Sequence, residues 1–340
     1  MRVRATAVAL LLVVAACSSS GDDAASTTTS SAAHPTTTTT TTTSSSTTTT
    51  APTTTSATPP PSLPALRSDA ANVLATPKGF VLPIEGGGPG AWTVMTPCAR
   101  TAVVHGGDTI GAATVVLDPG HGGAETGTTG PGGTVERDLN MAVATRLKAT
   151  LEKQGATVVL TRTGDYRISL ITRAEIAQKL KPPVFLSIHH NGGNDEVRAT
   201  PGTEVYFQVA SPASKRLAGL VYGEEYAYFS SLSLKRWYSD RDAGAKYRTN
   251  DAGGDYYGIL RRTEGVTAAL SEGLFLTDPA EEALLVRADV QQGEADAIAR
   301  GVRRFMLGRD PGTGYVTPYP RTEPAGGGGG TERCVDPPLE

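Results

Sequence analysis

The chain is poor in cysteine and has no long apolar run. Only three of its 340 residues are cysteine, and none sits at the short spacing that a thiolate zinc site uses, which excludes a cysteine metal centre. The apolar stretch Ala5 to Ala16 is too short to span a bilayer. Neither charge sign dominates: a formal net charge of -3 and a pI near 6.0 give no basis for a nucleic-acid partner or an electrostatic hold on a membrane. The HExxH pattern, which sets two imidazoles on one helical face, is absent. No repeat is long enough for a solenoid. Large apolar side chains are almost missing between 18 and 62, where Ser, Thr, Ala and Pro dominate. Such a segment cannot bury enough surface to offset its ordering entropy, so a disordered tether is expected over 18–64.

What the chain does have starts with Arg2 and Arg4 before the short apolar stretch, the pattern of an export signal over 1–17. Val14 to Cys17 resembles the lipobox of bacterial lipoproteins. That implies an exported protein of the bacterial cell envelope, anchored through Cys17 to the outer face of the cytoplasmic membrane. As a flexible coil the tether would have an end-to-end distance of roughly 35 to 40 Å, with an extended limit of about 150 Å. The two remaining cysteines, Cys98 and Cys334, are an even remainder in an exported chain, and a disulfide between them is expected. It would pin the C-terminal tail against the segment ahead of the first core strand.

Short apolar runs broken by glycine and proline over 65–112 predict a β-rich lead-in. From Ala113 strands and helices alternate. Helices are predicted at about 136–153, 169–180, 213–231 and 287–307, and strands at 157–161, 203–208, 257–261 and 267–271, with a further strand carrying His189. This pattern predicts a single α/β domain over 113–310, its mostly parallel, mixed central sheet flanked by helices, followed by a Gly- and Pro-rich tail at 311–340.

The chemistry gathers at strand ends. VVLDPGHGG at 115–123 places His121 after a buried-type strand and a Pro-Gly turn; TVERDLN at 134–140 places Glu136 at a helix start; VFLSIHHN at 184–191 ends a strand on His189 and His190; TAALSEGLF at 267–275 carries Glu272. Two imidazoles and a carboxylate form a donor set that suits zinc and leaves a position for water, and a further carboxylate could take that water's proton. Successive strand residues face opposite ways, so only one of His189 and His190 can readily face a metal. Glu136 could instead serve only the helix dipole, and Glu272 a buried ion pair.

DPGHGG, the Glu of VERDLN, LTRTGD, SIHHN, PGTEVYF, YGILR and LSEGLFLTDPAEE, in that order, resemble the zinc-dependent N-acetylmuramoyl-L-alanine amidases of the amidase-3 family over 113 to about 306. The resemblance implies one Zn2+ per catalytic domain held by His121, Glu136 and His189, with Glu272 as catalytic base and acid. It selects His189 over His190 and implies cleavage of the amide between N-acetylmuramic acid and L-alanine in peptidoglycan. Competing readings are a catalytically silent wall-binding lipoprotein and a zinc peptidase acting on stem peptides. Some relatives carry an inhibitory helix; the 190–205 interval is too short for a long insert, and 232–256, long enough for a flexible rim, is rich in Gly and Asp, so an enzyme needing no activator protein is expected, and separately a monomer. Asn140 and Asn191 are candidates for orienting ligands, Arg162 for a structural ion pair, and Tyr256 and Tyr257 for packing. His105 reads as a surface residue, and His34 falls in the tether.

Overall fold

In the computed structural model the chain is described over residues 61–193, 196–321 and 328–340. The export signal with Cys17, the tether up to residue 60 and His34 lie outside the described residues. The lead-in forms β1 (Val73–Ala75), β2 (Val81–Gly88), β3 (Ala91–Met95), β4 (Thr101–Val104) and β5 (Asp108–Ile110), an antiparallel sheet ordered β4-β3-β2-β1-β5. Its small core consists of Leu74, Leu82, Ile84, Trp92, Val94 and Val104. Packing begins slightly before the boundary drawn from composition: Leu63 is buried in the main core and donates its N–H to Gln154 O at 2.8 Å.

The catalytic region then runs β6 (Val115–Pro119), α1 (Glu136–Lys153), β7 (Val158–Leu160), α2 (Leu170–Leu180), β8 (Val184–Asn191), β9 (Glu196–Arg198), β10 (Glu204–Phe207) and α3 (Pro212–Ser230). It continues with β11 (Trp237–Ser239), β12 (Ala245–Lys246), α4 (Gly258–Arg262), β13 (Ala268–Phe275), α5 (Pro279–Leu285) and α6 (Ala288–Leu307). Six strands form a sheet ordered β12-β10-β13-β8-β6-β7, in which only the β10–β13 pair is antiparallel. The expected mixed, mostly parallel α/β architecture is therefore present.

Side-chain alternation explains the layers. Val115 and Leu117 of β6 point to the side covered by α1, α3 and α6, while Val116 points to the side covered by α2 and α4. Because both faces are covered, the strands read as continuous apolar runs. On α6 the stripe Val290, Ile298 and Val302 is fully buried, each side chain stabilising by about 1.5–3 kcal/mol.

One predicted strand is a helix. Residues 258–262 form α4, not a strand, because both edges of β13 are already taken by β10 and β8 and no free edge remains beside it for a strand at 257–261. The Cys98–Cys334 disulfide is present across a separation of 236 residues. The tail it holds is bonded further: Asp336 Oδ1 accepts from Cys98 N at 2.8 Å, and Arg100 Nη2 donates to Cys334 O at 3.0 Å.

Candidate metal centre

The site is assembled where β6, β8 and β13 end and α1 begins. The parallel register pairs Glu272 of β13 with His189 of β8, which puts both side chains on one face of the sheet. His121 follows β6 with φ at 60°, a left-handed conformation unusual for a residue with a side chain. Such a conformation costs about 1–2 kcal/mol, and two buried arginines hold the turn in it. Arg173 donates to Asp118 Oδ1 at 2.6 Å, Pro119 O at 2.8 Å and His121 O at 2.5 Å. Arg162 donates to Pro119 O and Gly120 O, each at 2.9 Å, and to Arg137 O at 2.7 Å. Arg162 is thus structural, as expected, but it clamps carbonyls; the ion pair belongs to Arg173 and Asp118.

Gly120 is required by a close approach. A Cβ there would lie 2.1 Å from His189 Cε1, so the imidazole occupies the space a larger residue would fill.

Glu136 is the first residue of α1, and its Oε1 lies 3.1 Å from His121 Nε2 and 3.0 Å from His189 Nδ1. Its other oxygen accepts from Thr128 N at 2.8 Å. One donor atom from each of His121, Glu136 and His189 falls within 4.8 Å of the others. Burial alone would raise the Glu136 carboxyl, but hydrogen bonds from both imidazoles outweigh it and hold the group well below its ordinary range. Burial pushes the His189 imidazole down, toward the neutral form that a metal requires.

Across β13 the Glu272 carboxyl is raised well above its ordinary value, first by burial and then by the charges of Glu136, Glu204 and Asp240. Its Oε2 is buried with no hydrogen-bond partner among the described residues. His121, Glu136, His189, Asn191 and Glu272 all line an open cavity of ≈ 380 Å³.

These observations test whether a metal ion fits. Two ring nitrogens and a carboxylate oxygen lie within 4.8 Å of one another, and Glu272, one of whose carboxylate oxygens is buried without a partner, lines the same cavity. A donor set of two nitrogens and one oxygen suits zinc with coordination positions left open. The residues fit such an ion. A second acidic group, Glu204, Asp240 and Asp242, already contains cations: Lys246 Nζ bonds Glu204 and lies 2.6 Å from Asp242 Oδ1, and Arg321 Nη2 lies 2.5 Å from Asp240 Oδ2.

The side chains around the site have partners of their own. His190 points to the opposite sheet face, where Asn140 Oδ1 is 2.8 Å from its Nδ1. Asn140 Nδ2 is 3.3 Å from Glu136 Oε1, whereas Asn191 Nδ2 donates to Glu204 Oε2 at 2.8 Å. Tyr257 packs against Tyr206 in a tilted pair with ring centroids 4.5 Å apart. His105 is exposed and lies 3.0 Å from Glu340. Asp118 and Glu204 have a signal in the sequence as well: a carboxylate inside an apolar strand run (VVLDP, GTEVYF) is a buried charge that needs a partner.

Comparison with known proteins gives consistent matches. The N-acetylmuramoyl-L-alanine amidase family, amidase-3, matches residues 115–304. An uncharacterized protein of Bacillus subtilis, YqiI, is 32% identical over 213 residues, covering 62% of this chain and 91% of that protein. The N-acetylmuramoyl-L-alanine amidase AmiA of Escherichia coli is 29% identical over 225 residues, covering 58% of this chain and 77% of AmiA. Among solved structures, Cwp6 from Clostridium difficile is similar with a TM-score of 0.50 and 28% identity over 58% of this chain and 29% of its own.

Proposed function

This chain belongs to the amidase-3 family of N-acetylmuramoyl-L-alanine amidases, and from that membership we propose that it is a zinc-dependent hydrolase that cuts peptidoglycan between N-acetylmuramic acid and the L-alanine of the stem peptide. The observation that carries the reading is the convergence of His121, Glu136 and His189 within 4.8 Å beside the unpartnered carboxylate of Glu272. His121 Nε2, a Glu136 oxygen and His189 Nδ1 would hold the ion.

What zinc supplies when bound there is Lewis acidity toward the scissile carbonyl and an easier deprotonation of water. The rest falls to the chain's own residues. Glu272 Oε2, buried and free of hydrogen bonds, accepts the proton of the attacking water. Glu272 holds that proton until the amide bond breaks. Glu272 then returns it to the departing L-alanine nitrogen, leaving a glycan strand and a free stem peptide. Glu204, the antiparallel register partner of Glu272, is tied down by Asn191, Tyr206 and Lys246 and fixes that side of the site.

The leader pattern supports export, and Cys17 a lipid anchor from which the tethered domain would reach the surrounding wall. Metabolic labelling with a palmitate analogue tests the anchor, which requires label that disappears with Cys17→Ala.

Mass analysis of wall digested by the zinc-loaded protein tests the activity. Free stem peptides beginning at L-alanine are expected. Cleavage inside the stem would make the protein a peptidase, and no release from a zinc-loaded protein would make it a wall-binding lipoprotein.

A further inference from the structure

Behind the metal centre lies a buried polar chain that the reaction does not use. It starts at Glu294 on α6, crosses His190 on β8 and Asn140 on α1, and ends at Glu136. His190 has a side-chain exposure of 0% and Glu294 of 1%. Each sits where an apolar residue would serve packing, on the sheet face and on the α6 stripe that include Ile188 and Val290. Polar groups are held in such positions at a cost unless their geometry is well satisfied. Here it is.

The direction of the chain follows from the chemistry of its ends. Asn140 Nδ2 lies 3.3 Å from both Glu136 Oε1 and Gly120 O, which only accept, so the amide nitrogen must face them. The amide oxygen then faces His190 Nδ1 at 2.8 Å, and Nδ1 must carry a hydrogen. The other ring nitrogen lies 3.1 Å from Glu294 Oε1 and 3.3 Å from Oε2, which fixes the ring plane from the far side. The backbone N–H of His190 also reaches Glu136 Oε1, at 3.4 Å. That oxygen is the one both ligand imidazoles approach. With no donor at the His190 ring, the Asn140 amide would be free to turn its oxygen toward the carboxylate and repel it.

Gly273, directly after Glu272, leaves the room this chain needs. A Cβ there would meet Glu294 Oε1 at 2.6 Å and His190 Cδ2 at 3.4 Å. The adjacent Glu225 bonds Ser271, with both its oxygens 2.8 Å from Ser271 Oγ, and its charge acts on that of Glu294.

We infer that His190 and Glu294 are positioning residues for Glu136, acting through Asn140 to hold its carboxylate in the orientation that binds the metal. The inference rests on the reading of Glu136 as a metal ligand.

The test is zinc affinity, measured on the full chain by competition with a chromogenic chelator, with circular dichroism to establish folding. His190→Phe and Glu294→Leu are expected to fold and to bind zinc about 10- to 100-fold more weakly. Glu294→Gln, which keeps a hydrogen-bonding group toward His190 Nε2, should recover most of the affinity. Thr150→Ala, which removes a different side-chain hydrogen bond between α1 and α6, that to Asp296, should leave it unchanged. Wild-type affinity in folded His190→Phe and Glu294→Leu would overturn the inference. Should either variant fail to fold, long-range proton–nitrogen correlation spectra of the wild-type chain decide: a hydrogen on His190 Nδ1 supports the chain, and a bare Nδ1 overturns it. A wild-type chain that binds no zinc would overturn the metal reading and this inference with it, an outcome distinct from tight wild-type binding with unaffected variants.

Discussion

Glu272 keeps one carboxylate oxygen buried and unbonded, which is unfavourable for folding and is tolerated where the group has work to do. Glu272→Gln is nearly isosteric, so it should retain zinc while turnover falls by about 10²- to 10⁴-fold, the loss expected when general acid–base chemistry is removed. Steady-state rates and metal content on the same preparation check this; undiminished turnover would assign the proton transfer to another group. A second residue-scale prediction concerns Asp118. Burial would raise its pKa, but Arg173, together with hydrogen bonds from Thr161, Arg173 and Ser187, outweighs burial and leaves it lowered from 3.8. A lowered native value means the carboxylate stabilises the fold fully above the unfolded value and loses that contribution as pH falls through the native one. Asp118→Asn leaves Arg173 buried without its counter-charge, a cost of about 3–5 kcal/mol. Denaturant unfolding should show this gap at pH 7 and its shrinkage only below about pH 4. A gap that widens on acidification would contradict the assignment.

Among elements, the strands that end at the site were legible and several connections were not. VVLDP, VFLSI and AALSE are short, apolar and bounded by turns, so β6, β8 and β13 could be read directly. YGILR could not be: five residues with two apolar side chains satisfy a helical turn as readily as a strand, and the decision was made by which sheet edges were free. The two-stranded pairing of β9 with β11 joins residues 196–198 to 237–239, a non-local contact with no local pattern. α5 carries a local start signal, since Asp278 accepts from Ala280 N and Glu281 N with Pro279 in the first turn. At the site, the motifs that carry His121, Glu136, His189 and Glu272 are far apart in the sequence and line one cavity in the fold. Glu294 was recoverable only as an acidic residue on the buried α6 stripe. At this scale the disulfide is the clearest lever. The tail it secures also reaches the loop between His121 and Glu136, where Glu125 Oε1 accepts from Gly329 N at 2.8 Å and from Arg167 at 2.9 Å. Replacing both Cys98 and Cys334 by Ser should cost about 2–5 kcal/mol, read as a lower unfolding midpoint. An unchanged midpoint would show that the tail is held without the bond.

For the whole molecule, a covered sheet of six strands gathers donors from distant parts of the chain at one end, where open parallel sheets present their chemistry. The lead-in sheet and the tied tail lie outside the matched residues 115–304, and they add a second small core of their own. No helix among the described residues is long and apolar enough to cross a membrane. Because a metal that binds only the folded chain stabilises it by mass action, chelation should lower the thermal midpoint together with activity, and added zinc should restore both. At zinc a hundredfold above its dissociation constant the stabilisation is about 2.7 kcal/mol. Activity that survives exhaustive chelation would remove the metal from the account.

The most direct measurement is anomalous diffraction at the zinc absorption edge from crystals of the zinc-loaded protein. The account predicts one strong peak within about 2.0–2.2 Å of a nitrogen of His121, a carboxylate oxygen of Glu136 and a nitrogen of His189, facing Glu272. A peak elsewhere, or none in crystals of protein that cleaves the wall, would contradict it.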